Sequence, residues 1–320
     1  MLYQVLEVFE LLDSKYINGQ KVADFLMRRG LEKIEVQRMG ENAGSTDFIK
    51  IIVPGTNGKQ KGGEAPTLGI IGRLGGIGAR PERIGIVSDA DGAVAAISCA
   101  LKLADMQKNG DILNGDVILS TQICPNAPTQ PHEPVPFMGS PVDMETMNRS
   151  EVDSNMDAIL SIDATKGNRI INFRGFAITP TIKEGYILRI SEDLLNIMEW
   201  TTGRFTRVVP ITTQDITPYG NGLFHVNSIV QPCVTTIAPV VGIAVTTEMP
   251  VSGCSTGANH EIDVEEASRY CIEVAKAFTE GKCNFYNNKE FKHILKLYGS
   301  MKNLQTLGGV DESSDCSYSQ

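Results

Sequence analysis

The chain has 320 residues, 42% of them hydrophobic and 21% charged, with a formal net charge of −9. That balance is ordinary for a globular chain, and its acidity argues against a nucleic-acid surface or an anionic membrane as partner. No apolar run approaches the ~20 residues of a membrane span, and seven cysteines without paired spacing fit a reducing, cytosolic compartment. The opening MLYQVLEVFELLDSKY lacks the basic-then-apolar order of an export signal.

Apolar residues at Leu2, Val5, Leu6, Phe9 and Leu12 predict a first helix. Val22, Ala23, Phe25 and Leu26 predict a second, ended by Gly30. IEVQRM and DFIKIIV predict strands, followed by the polar turn PGTNGKQKGGEAP. TLGIIGRL and IGIVSD predict two more. A helix over 92–107 follows, with Ala93, Val94, Ile97, Ala100, Leu101 and Ala104 in its buried stripe. GDVILSTQI predicts a further buried strand. The next segment, CPNAPTQPHEPVPFMGSPVD, holds six of the fifteen prolines and excludes a helix or a central strand. Strands are predicted at MDAILSID, GFAITPTI, RVVPITT and VVGIAVTT, and helices at SEDLLNIMEWTTG and over 263–280. KEFKHILKL reads as a surface helix. The alternation of strand and helix predicts a single α/β domain over 1–307 and a polar tail over 308–320.

The stretch IVSDADG places Asp89 and Asp91 where an apolar run hands over to a helix. Ser88, Asp89 or Asp91 as helix caps is one reading. A metal or substrate site at a strand's carboxyl end is the other. Cys124 ends the strand GDVILSTQI, and His132 and Glu133 lie in the proline-rich segment behind it. A thiol with a histidine and a carboxylate is the material of a nucleophilic site, against the reading of a buried apolar cysteine. His260 and Glu261 precede the helix over 263–280, and Asp215 sits before the glycine-bearing loop TPYGNGLF. GRLGGIGARPERIG is glycine-rich but lacks the lysine and serine of a phosphate loop.

The order of elements resembles the di-zinc exopeptidases, the aminopeptidases, carboxypeptidases and their relatives, over nearly the whole chain. TLGIIGRLGGIG stands where that superfamily has a strand followed by His-x-Asp, and VSDADGAVAA is similar to its bridging aspartate, glycine and helix. ILSIDAT resembles the strand ending in a later acidic ligand, and HEIDVEEASRYCIEVAKAF the closing helix. VSDADGAVAA, QICPNAPTQPHEPVPFMGSPVD, DATKGNRI and TTQDITPYGNGLFHVNSI also resemble a bacterial and archaeal family of conserved proteins with no assigned function. The superfamily resemblance implies that Asp89 matches the bridging aspartate and Asp163 the later ligand. It also exposes departures. Arg73 replaces the first histidine and Gly75 the aspartate behind it, while Cys124, Pro125 and Asn126 replace the paired glutamates. A guanidinium stays protonated and binds no metal, and no carboxylate remains there as general base.

The resulting expectation is a single-domain three-layer α/β sandwich with a mixed, mostly parallel central sheet, zinc-exopeptidase-like, its metal site degenerate. Asp89, Asp163, His132 and His260 form the candidate zinc set; the cofactor is otherwise none. Arg73, Asp89, Asp91, Asp163, Lys166, Asp215 and His260 are the candidate ligand-binding residues, with Arg73 expected beside Asp89 and Asp163. Cys124, His132 and Glu133 are the candidate catalytic ones. The expected ligand is a small amino-acid or peptide-like molecule, handled by a hydrolase of peptidase or amidase type in a cytoplasmic homo-oligomer. A non-catalytic binding or assembly protein is the alternative. A cysteine hydrolase at Cys124, or a two-thiol racemase using Cys124 and Cys254, is another.

Overall fold

A computed structural model of the protein describes residues 1–40, 44–73, 75–78, 85–131, 137–165, 167–211, 227–249 and 260–305. The N-terminal pair of helices, α1 (Leu2–Leu12) and α2 (Gly19–Arg28), forms as the apolar spacing predicts. The Asn18 side chain caps α2 by accepting from the Lys21 backbone N–H. Strands β1 (Lys33–Met39) and β2 (Thr46–Val53) pair antiparallel, and β2 pairs antiparallel with β4 (Val117–Ile123). The centre of the sheet is four parallel strands in the order β4, β3 (Leu68–Gly72), β7 (Ala158–Ala164) and β11 (Val240–Thr246). Their side chains are buried on both faces, which is why the sequence there is a near-continuous apolar run. Beyond β11 the sheet turns antiparallel through β8 (Gly175–Ile178), β9 (Thr181–Lys183) and β10 (Tyr186–Leu188). Two short strands, β5 (Thr129–Gln130) and β6 (Phe137–Met138), pair with each other inside the proline-rich segment.

One face of the sheet is covered by α1, α3 (Asp91–Lys108), α5 (Glu192–Thr202) and α6 (Glu261–Thr279). The other carries α4 (Met144–Glu151) and a 3-10 run, Ser228–Thr235. A last helix, α7 (Asn288–Tyr298), buries Phe291 against Tyr186 and Tyr286. The architecture is a three-layer α/β sandwich on a mixed sheet with a parallel centre. Among the described residues no helix is long and apolar enough to cross a membrane.

Two predicted strands do not form as read. Of IGIVSD, 85–87 are irregular and Ser88 and Asp89 enter a 3-10 turn: the Ile86 backbone N–H donates to Asp13 Oδ1 (3.0 Å) and no strand forms. Gly85 (φ +87°) brings the chain against that carboxylate, since a Cβ there would lie 2.1 Å from Asp13 Oδ1. The described part of RVVPITT makes a single bridge, Val208 with Ile178, and Pro210 removes the next donor. GFAITPTI is two strands, β8 and β9, parted at Pro180.

Candidate functional site

Three residues without a Cβ fix the geometry at the carboxyl edge of the parallel strands. A Cβ on Gly92, in the first turn of α3, would lie 2.4 Å from the Arg73 carbonyl and 2.7 Å from that of Ile162. One on Gly72 would lie 2.2 Å from the Gly92 carbonyl, and one on Gly75 would lie 1.7 Å from that of Gln122. The α3 N-terminus therefore rests directly on the ends of β3 and β7. Gly72 and Gly75 of GRLGGIG serve this close approach, and no phosphate loop is needed to explain them.

That seating delivers the acids. Asp89 lies in a 3-10 turn, Ser88–Ala90, that touches β7, and Asp91 is the first residue of α3; both are buried. A carboxylate there meets the positive end of the helix dipole. Asp163, near the end of β7, accepts from the Ala164 backbone N–H at Oδ1 (2.8 Å) and from Ser228 Oγ at Oδ2 (3.3 Å). Asp263, in the first turn of α6, lies 3.5 Å through Oδ2 from Arg174 Nε. Burial pushes the Asp263 carboxyl up, Arg174 and His260 oppose the shift, and Asp91 adds to it. Asp91, Asp263 and His260 thus share one electrostatic neighbourhood. His260 is exposed at the N-cap of α6. A turn further along α6, burial also raises the Glu266 carboxyl, against the pull of Arg204.

Arg73 departs from expectation. Its guanidinium does not balance Asp89 and Asp163. It is fully buried on the face covered by α4, where Nη1 donates to Glu151 Oε2 (2.6 Å) and Asn148 Oδ1 (2.7 Å), and Nη2 points at Met144 Sδ (3.0 Å). A fixed cation enclosed in the fold requires a buried anion, and α4 supplies it. Cys124 is buried at the end of β4. It packs with Val87 and Ala127, donates weakly to the Ser45 carbonyl, and burial raises its thiol to about 11. The thiolate a nucleophile needs is suppressed at neutral pH.

His132, Glu133, Lys166, Asp215 and Cys254 lie outside the described residues. Among the described residues no three His, Cys, Asp or Glu side chains are grouped to hold a metal ion. Arg73, turned to Glu151, offers no lone pair to a metal. Sequence reading missed Glu151, Arg174, Ser228, Asp263 and Glu266. None stands in a motif, and only the packing of α4, α6 and the 3-10 run against the sheet gathers them.

No curated protein matches the chain. Among solved structures it is similar to "Bottromycin maturation enzyme BotP", at 14% identity and a TM-score of 0.48, over 87% of this chain and 70% of that one. The same enzyme "in complex with Mn" aligns at 13% identity and a TM-score of 0.47, over 86% and 71%. A family model described as "Protein of unknown function (DUF1177)" matches residues 37–308, and the chain belongs to that family.

Proposed function

We propose that the protein binds a small amino-acid or peptide-like ligand at the carboxyl edge of β3, β7 and β11, with its ammonium group facing the acids gathered there. The observation that carries this reading is the seating of the α3 N-terminus on the strand ends, which sets the buried Asp89 turn against β7, the strand that carries Asp163, and puts Asp91 at the start of the helix. Open α/β sheets place ligands beyond the carboxyl ends of their parallel strands. Buried carboxylates held near a helix N-terminus and a serine hydroxyl are arranged to accept hydrogen bonds, and an ammonium group offers three donors. The resemblance of Asp89 and Asp163 to ligands of the di-zinc exopeptidases supports the same ligand class. Where that superfamily uses metal and a general base, this chain keeps the acids and changes their neighbours.

Calorimetric titration with alanyl-alanine tests the reading. Binding is expected to weaken by about tenfold or more when the amine is acetylated, and likewise in Asp89→Asn or Asp163→Asn, since a charge-assisted hydrogen bond is lost. Absence of binding to the free dipeptide, or equal binding of its acetylated form, overturns it.

A further inference from the structure

We propose that Arg207 is the anchor for the carboxylate of the ligand, so that the site recognises a free C-terminal acid at one end and an amine at the other. The inference rests on the ligand class proposed above. It starts from β8, which begins at Gly175 opposite Thr246, at the carboxyl end of β11. Gly175 has φ +107°, and a Cβ there would lie 3.0 Å from Glu266 Oε2, 3.7 Å from Arg204 Nη1 and 3.9 Å from Arg207 Nη1. Glycine at this position lets two guanidiniums and a carboxylate close around one α-carbon.

The arginines of this rim are not equivalent. Arg174 Nε faces Asp263, and Arg204 grips both oxygens of Glu266 at 3.2 Å. Arg207 has no carboxylate partner among the described residues. Its Nη1 donates to the Arg174 carbonyl (2.6 Å), and its guanidinium lies 4.0 Å over the ring of Phe173. The backbone that carries it is fixed by β8: the Ile178 N–H donates to the Arg207 carbonyl (3.0 Å), and the Val209 N–H to that of Ile178 (2.9 Å). A guanidinium with one face stacked and one corner tied keeps its plane and has further N–H donors to offer. That is the geometry that receives a carboxylate through two parallel hydrogen bonds.

Contacts lead from this rim to the first of the acids, Asp263. Arg207 holds the Arg174 backbone, the Arg174 side chain faces Asp263, and Asp263 lies in the field of Asp91. An extended peptide advances about 3.3–3.6 Å per residue, so a dipeptide carries its amine and its carboxylate to opposite ends of such a path.

Calorimetry with two probes, alanyl-alanine and alanyl-alaninamide, tests the anchor, because the second keeps the amine and lacks the acid. The wild type is expected to bind the acid roughly tenfold or more tightly than the amide, as a bidentate charged pair is lost. Arg207→Gln is expected to abolish that preference while the amide binds it as it binds the wild type. Arg207→Lys, which keeps the charge without the planar fork, is expected to fall between. Equal affinity for both probes in the wild type, or a preference that survives Arg207→Gln, overturns the anchor and leaves the ligand class standing. Binding of neither probe overturns both.

Discussion

Among the described residues Arg73 is the largest side chain that the fold encloses completely, and Glu151 is its acidic partner. Burial alone pushes the Glu151 carboxyl up, and Arg73 opposes that shift. Truncating the arginine leaves an uncompensated acid between the sheet and α4. Arg73→Ala is therefore expected to destabilise the protein by about 3–5 kcal/mol in urea unfolding, the range for breaking a buried pair. The double variant Arg73→Met, Glu151→Leu is expected to recover most of that loss, because it removes both desolvation penalties. A single-variant loss below about 1 kcal/mol would show a solvated guanidinium, as exposed pairs behave. The sequence marks Arg73 as a residue out of place in a metal site. It does not identify the partner, because Glu151 lies at the end of METMNRSE, which has no apolar stripe strong enough to announce a helix.

At the level of elements, the seating of α3 on β3 and β7 decides where Asp89 and Asp91 sit. Gly92→Ala would drive a methyl into the Arg73 and Ile162 carbonyls, which are backbone and give way only if the helix lifts. The expected cost is about 3 kcal/mol, at the upper end for overpacking. Gly62→Ala makes a useful contrast: its φ is +75° but nothing lies within 4 Å of the added carbon. It is expected to cost about 1 kcal/mol, the conformational part alone. Equal losses for the two would mean that α3 is not packed on the strand ends. The elements that read correctly are those whose own pattern is sufficient. The apolar stripes of α1, α2 and α3 and the continuous runs of β4, β7 and β11 need no partner to be recognised. The segment 85–87 misled because Ile86 and Val87 are buried like strand residues, yet the Ile86 donor goes to a side chain thirteen residues into the chain. The acids at Asp89 and Asp163 were visible as residues at strand ends. Asp263 was not, because only the packing of α6 against β8 and β11 places it beside Arg174.

Across the whole molecule, burial of acid–base groups sets how stability depends on pH, and the alkaline limb is the clearest test. Burial raises the Cys124 thiol to about 11 and the Cys283 thiol to about 12, from an ordinary value of 9.0. Burial also carries Cys271 and Tyr270 well above their ordinary values. Each group is neutral when protonated and must stay so inside the apolar layer. Above pH 9 the unfolded chain releases these protons first, so it binds fewer than the folded one, and stability falls as pH rises. For Cys124 the loss runs from about pH 9 to its folded value near 11 and amounts to roughly 3 kcal/mol at the end of that window. The same sign holds in acid for Asp263 and Glu266, whose raised carboxyls favour the folded state most when protonated. Asp143 and Asp153 act oppositely, since backbone N–H donors from Thr146 and Asn155 favour their ionised forms and hold them low. Urea unfolding of the wild type and of Cys124→Ala, Cys283→Ala at about pH 7.5 and about pH 10 separates the thiol contribution from the rest. The wild type is expected to lose more stability between those two points than the double variant, which still carries Cys271 and Tyr270. Parallel losses would show that Cys124 and Cys283 titrate in the folded protein as they do in the open chain, and the apolar packing drawn around them would be wrong.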